Sequence, residues 1–198
     1  MNFTEKETFR TRSFPAELKI REASTTEENP KIEGYFAVFD DIYDMGYGLT
    51  ESIDRGAFDD TLDGDIRALI NHDTTLVLGR TSANTLKLRT DDHGLWGSID
   101  VNPNDTDAMN MYARVQRGDV NQCSFGFEIL DEATEYRENG DIHWTLRKVK
   151  LYEVSVCTFP AYEATSVSAR AKDAEEIRKK ALEAWKEKTR KRMKGAKE

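Results

Sequence analysis

From Lys31 to Phe159 the chain is a succession of short β-type runs cut apart by turn chemistry, and that pattern constrains the fold more than any single motif. The runs are KIEGYFAVF (31–39), DIRALIN (65–71), TLKLRT (85–90), LWGSIDV (95–101), CSFGFEIL (123–130) and IHWTLRKVKLYEVSVCTF (142–159). They are rich in the β-branched and aromatic residues that suit a pleated surface. Asp63–Gly64, His93–Gly94 and Asn139–Gly140–Asp141 separate them, and Asn139–Gly140 predicts a hairpin because both residues accept positive φ. Helical signals are few. GAFDDTL (56–62) sets Phe58 and Leu62 four apart on one face, and DAMNMYARVQR (107–117) places Ala108, Met111, Tyr112 and Val115 at helical spacing. The second has a cap at Asp105 or Thr106 and a stop at Gly118. Strands without strict βα alternation predict an α+β domain built on a mainly antiparallel sheet or closed β-barrel with surrounding helices.

That domain is expected over residues 17–169, opening on the short alternating stretch ELKIR (17–21) after a loosely held, flexible N-terminal segment at 1–16. Residues 170–198 are expected to be a basic, polar helical tail, its helix at 172–193 with Ile177, Leu182 and Trp185 as its few apolar positions. The tail holds twelve Lys/Arg against six Asp/Glu, a net of +6 that leaves −14 on residues 1–169 within an overall −8. An acidic body argues against broad nucleic-acid binding, which draws its affinity from Lys and Arg on phosphates. The basic run reads first as a solvated helix face, and secondly as a contact for nucleic acid or an acidic partner.

At 198 residues the chain can bury one core without a covalent staple. Two cysteines, Cys123 and Cys157, and charged residues in place of an apolar N-terminal signal predict a reducing, cytosolic setting. No run approaches the roughly 18–20 apolar residues of a membrane span. The three histidines and two cysteines lack zinc spacing, DDIYD (40–44) lacks the glycine and terminal glutamate of a calcium loop, and no phosphate-binding glycine loop occurs. Neither a metal nor an organic cofactor is expected.

A serine attacks a carbonyl near neutral pH only if another group takes its proton. In SFGF (124–127) strand alternation turns Cys123, Phe125 and Phe127 one way and Ser124 and Gly126 the other. The bare glycine would leave room for a substrate backbone beside the hydroxyl. Ser124 is thus a candidate nucleophile, or else a structural serine bonded to a neighbouring carbonyl. Cys123 is a rival that the same alternation buries. His72 closes the apolar run LINHD (69–73) and is the candidate general base, or else a capping group at a strand end. His93, in DDHG (91–94), reads as a turn residue. A third group would orient the base. Glu153 leads, because a carboxylate beside the little-charged run VSVCTFPA (154–161) must be paired. Arg147, Lys148 or Lys150 could equally pair it, and His143 and Asp73 are the alternative orienting residues.

The ordered segments IEGYFAVFD (32–40), ESIDRGAFDDTL (51–62), LINHD, LGRT (78–81), GLWGSIDV (94–101), SFGF and LYEVSVCTFPAYEAT (151–165) resemble the tailed-phage prohead protease family, over about residues 17–169. The family is similar in fold to the herpesvirus assembly protease, a β-barrel surrounded by helices. The resemblance implies Ser124 as nucleophile and His72 as base. The herpesvirus enzymes use a second histidine as third member, whereas the phage pattern around LYEVS points to Glu153, so His143 stays open. It further implies an endopeptidase in the host cytoplasm, packaged inside the immature phage head, where it cleaves scaffold or the scaffolding segment of the major capsid protein, and itself. Dimerisation controls activity in herpesvirus relatives, so a homo-oligomer is compatible. The alternative is a noncatalytic capsid assembly or scaffolding module in which Ser124 is only a strand residue.

Overall fold

The computed structural model describes residues 9–23, 28–159 and 163–195. In chain order these form β1 (Phe9–Pro15), β2 (Lys19–Arg21), β3 (Lys31–Val38), β4 (Tyr43–Asp44), β5 (Leu49–Ile53), β6 (Arg67–Ile70), β7 (Asp73–Arg80), a short 3-10 turn (Thr81–Ala83), β8 (Leu86–Thr90), β9 (Gly94–Asp100), α1 (Thr106–Arg117), β10 (Gln122–Tyr136), β11 (Ile142–Cys157) and α2 (Glu163–Gly195). The fold is α+β and sheet-rich, and every strand pairing is antiparallel except those of β11 with β5 and β6.

β10 and β11 are the spine. Asn139–Gly140 turns one into the other as expected, with Gly140 at φ 89° and the Asn139 side chain accepting from the Asp141 N–H at 3.1 Å. One seven-stranded sheet runs β1-β10-β11-β5-β4, and β6, itself paired with β7, joins the far end of β11. β11 is long enough to take β5 beside Ile142–Leu146 and β6 beside Glu153–Val156. A second sheet runs β2-β3-β9-β8. No pairing among the described residues closes either sheet into a barrel.

A shared core lies between them. Ile32 and Phe36 of β3 and Ile99 of β9 pack in one cluster with Phe125, Phe127 and Val154 of β10 and β11. Each such side chain contributes about 1.5–3 kcal/mol relative to exposure. The four helical-spacing residues of α1 are all buried, the Asp105 side chain accepts from the N–H groups of Asp107 and Ala108, and Gly118 closes the helix at φ 85°.

The helix expected over 56–62 does not form. Its hydrogen bonds close three residues back instead of four, from Ala57 to Asp54, Asp59 to Gly56, Thr61 to Phe58 and Gly64 to Thr61. β11 takes two further acceptors of the segment: its Val149 N–H reaches the Ala57 carbonyl at 3.0 Å and its Leu151 N–H reaches the Thr61 hydroxyl at 2.8 Å. Phe58 is fully buried all the same. The spacing therefore marked a buried face, and the sheet competed successfully for the backbone.

The described parts of the two terminal segments are more tied than their polar composition suggests; residues 1–8 of the segment expected to be flexible lie outside the described residues. β1 lies in the segment expected to be loose and pairs with β10 from Phe9↔Glu128 to Pro15↔Gln122. α2 starts nine residues before the expected helix and seats Ala174 in a second cluster with Met45, Leu49, Ile142 and Trp144. Arg170, fully buried, lies over the Trp144 ring and ion-pairs with Glu51 and Glu132, each at 2.6 Å. Leu182 and Trp185, further along, are exposed. No helix among the described residues is long and apolar enough to cross a membrane.

Candidate active site

Alternation along β11 sets Glu153, Ser155 and Cys157 on one side of the strand, and the register with β10 puts Gly126 opposite Glu153, Ser124 opposite Ser155 and Gln122 opposite Cys157. On the other flank β6 pairs Val156 with Ile70, and Ile70 pairs in turn with Asp73 of β7. Asn71 and His72 are thus the two residues of a tight hairpin, and both have positive φ, 51° and 62°. A two-residue connection of the favoured hand demands this of both residues. For residues other than glycine it costs on the order of 1–3 kcal/mol, so the surroundings must hold it. They do so through β11. The Asn71 N–H donates to the Val156 carbonyl at 3.1 Å, the Asn71 side chain accepts from the Thr158 N–H at 2.8 Å, and the His72 N–H donates to Ser155 Oγ at 3.2 Å.

The turn delivers the His72 ring to Glu153, with Nδ1 2.7 Å from Oε1. A carboxylate only accepts, so Nδ1 carries a proton; in the neutral ring Nε2 then keeps its lone pair, the tautomer a general base needs. The other carboxylate oxygen accepts from Ser155 Oγ at 2.6 Å. Ser155, fully buried, therefore grips the His72 backbone and the Glu153 carboxylate together. Glu153 is nearly buried and the His72 side chain is 20% exposed, so the pair is sheltered with one edge open to solvent.

The Cys157 thiol lies within hydrogen-bond reach of Nε2, with Sγ 3.8 Å away. Burial, with the Glu153 charge second, pushes that thiol up to about 12, which keeps it protonated and a poor nucleophile. Cys123 sits in the core, where burial raises its thiol well above the ordinary range.

Ser124 lies on the same face as Glu153 and Ser155. Directly opposite residues of an antiparallel pair have Cβ atoms about 4.5–5.5 Å apart. Its side chain is fully buried, and Oγ donates to the Arg12 carbonyl of β1 at 2.9 Å; no hydrogen bond joins it to His72 among the described residues. The room expected beside Gly126 is filled. A side chain there would collide with Glu153 Oε1 and with the ring of Phe9, which lies over the glycine.

The other candidate orienting residues lie elsewhere. His143 is ten residues back along β11, about 33 Å of strand, with Nδ1 2.9 Å from Thr50 Oγ1 and Nε2 3.0 Å from Ser52 Oγ. Burial, then the Arg137 charge, lowers its proton affinity. Asp73 accepts from the Thr75 hydroxyl and N–H, which hold its carboxyl below the usual range. Lys148 pairs with Asp60 instead of Glu153. Sequence reasoning missed Ser155, although alternation from Glu153 places it on the same face, and it missed the Asn71–Thr158 clasp. Among the described residues no three His, Cys, Asp or Glu side chains are grouped to hold a metal ion.

Known proteins similar to this chain include a phage prohead protease. The prohead protease of Enterobacteria phage HK97 is 30% identical over 141 residues, 69% of this chain and 58% of the relative, so the chain spans a little over half of that relative's length. The structure of the bacteriophage T4 capsid assembly protease overlays with a TM-score of 0.49 at 10% identity, covering 76% of this chain and 96% of that one. The family model of the caudovirus prohead serine protease matches residues 16–180. By that match, over most of its length and across every residue of the site, the chain belongs to the caudovirus prohead serine protease family.

Proposed function

We propose that this chain is a serine endopeptidase of phage head maturation, which cuts scaffold or the scaffolding segment of the major capsid protein, and itself, inside the immature head. Glu153 holds His72 through Nδ1, Nε2 takes the Ser124 proton, Ser124 attacks the peptide carbonyl, and water hydrolyses the acyl-enzyme. The observation that carries this reading is the 2.7 Å contact between His72 Nδ1 and Glu153, which leaves Nε2 able to accept, on the strand face that also bears Ser124. For the reaction Ser124 Oγ must turn from the Arg12 carbonyl toward Nε2.

In the same reading the two sheets around their shared core are the sides of a barrel of the herpesvirus-protease kind. The tail, residues 170–198, meets the body through Arg170, Asp173, Ala174 and Arg178, and its part beyond Arg178 is the stretch offered to scaffold or capsid precursor. Co-expression with capsid precursor and scaffold, followed by intact-mass spectrometry, tests the proposal. Fragments should form with the wild type and be absent with Ser124→Ala, and unchanged processing by that variant would refute the assignment.

One observation favours the second reading, a noncatalytic assembly module: Ser124 is buried and bonded as a structural serine would be. A fluorophosphonate probe separates the two, since the protease is labelled at Ser124 and the module is not.

A further inference from the structure

We infer that Gln122 is a substrate-binding residue of this site, its side-chain carbonyl accepting from a backbone N–H of the peptide beside the scissile bond. The inference rests on the Ser124–His72 reading above. Gln122 stands two residues before Ser124 on β10, so alternation puts both on one face, about 7 Å apart along the strand. The His72 ring shows why that side of the serine matters. Nδ1 meets Glu153 and Nε2 lies 3.8 Å from the Cys157 thiol, so the ring runs along β11 past Ser155 toward the row that Cys157 forms with Gln122. A carbonyl attacked by Ser124 while Nε2 takes the proton therefore sits on the Gln122 side of the serine.

Gln122 Oε1 is buried there without a hydrogen-bond partner among the described residues. A buried carbonyl oxygen left unpaired costs stability, and folded proteins hold few of them. Two flanking groups leave it so. Pro15, its register partner on β1, has no N–H, and the protonated Cys157 thiol opposite lies against His72 Nε2. The missing donor is one that a substrate brings. An extended peptide carries backbone N–H groups pointing sideways at alternate residues. With its scissile carbonyl at Ser124, such a peptide sets one of them beside the carboxamide. The bond fixes the register of the peptide against the nucleophile, and so orients the reacting carbonyl. The orphaned oxygen is thus a cost in the free protein that substrate relieves.

The test uses the full chain and a peptide spanning a cleavage site mapped from wild-type fragments, together with versions of that peptide N-methylated at one backbone position at a time. Gln122→Met keeps the reach of the side chain and removes the acceptor. It should raise KM about tenfold with kcat nearly unchanged, and it should melt no lower than the wild type, because the group it removes was unpaired. N-methylation at the position that Gln122 holds should cost the wild type a similar factor and cost Gln122→Met nothing further. An unchanged KM in Gln122→Met, or equal costs of N-methylation in the two enzymes at every position, would overturn the role. A lower melting temperature in Gln122→Met would show an oxygen already paired in the free protein and overturn it as well. Cutting of the peptide that persists in Ser124→Ala would instead remove the site itself, and the role of Gln122 with it.

Discussion

The two ends of β11 each present a histidine, and they use it in opposite ways. At the β5 end His143 has hydroxyls on both ring nitrogens, Thr50 and Ser52, so neither nitrogen is free for a substrate. At the β6 end His72 has a carboxylate on Nδ1 and a protonated thiol 3.8 Å from Nε2. A histidine becomes a base when a carboxylate fixes one nitrogen and the other is left its lone pair. The surroundings differ in the same sense. The β5 end is tied by the Arg12–Glu51–Arg170 network over Trp144, a stabilising use of charge, whereas at the β6 end two left-handed residues are held in place to aim a ring.

The contrast can be broken most sharply at Ser124. Ser124→Ala should lower peptide cleavage on the order of 10⁶-fold, by analogy with serine protease triads, with thermal unfolding preserved; measurable turnover by the variant would remove the nucleophile from the β6 end. Glu153→Gln leaves the ring without its carboxylate and should lower kcat about 10⁴-fold, with a smaller effect on KM. A single-turnover assay that found kcat unchanged would make the two histidines equivalent.

At the other end the expected effect is on stability. Glu51→Ala strands two buried guanidiniums and should cost about 3–5 kcal/mol, read as a fall in the denaturation midpoint. The smallest effect concerns His143. Its proton affinity is lower in the folded chain than the ordinary 6.5, so the unfolded chain binds the proton more readily. The stability it contributes is present above about 6.5 and is lost as pH falls through the lowered folded value. His143→Gln should flatten the acid side of a melting-temperature profile, and a profile of unchanged slope would count against the burial of that ring.

Much of this was legible in the sequence where chemistry is local. Asn139–Gly140 announces its hairpin, Asp105 and Gly118 bracket α1, and alternation correctly turns Phe125 and Phe127 inward and Ser124 away. The carboxylate of Glu153 was legible as a charge that needed a partner. What escaped depends on residues far apart in sequence. β1 reads as polar because its arginines find their acids 39 and 163 residues away. The Asn71–His72 turn lacks a glycine and reads as a strand end, since the groups that hold it belong to β11. Gly126 looked open because no local rule says that Phe9 will lie across it.

The central claim is that His72, and not His143, is the base. Intact-mass analysis of capsid precursor co-expressed with His72→Ala or with His143→Ala tests it directly. The account predicts uncut precursor with the first and normal fragments with the second; processing that survives loss of His72, or that fails only with loss of His143, would contradict it.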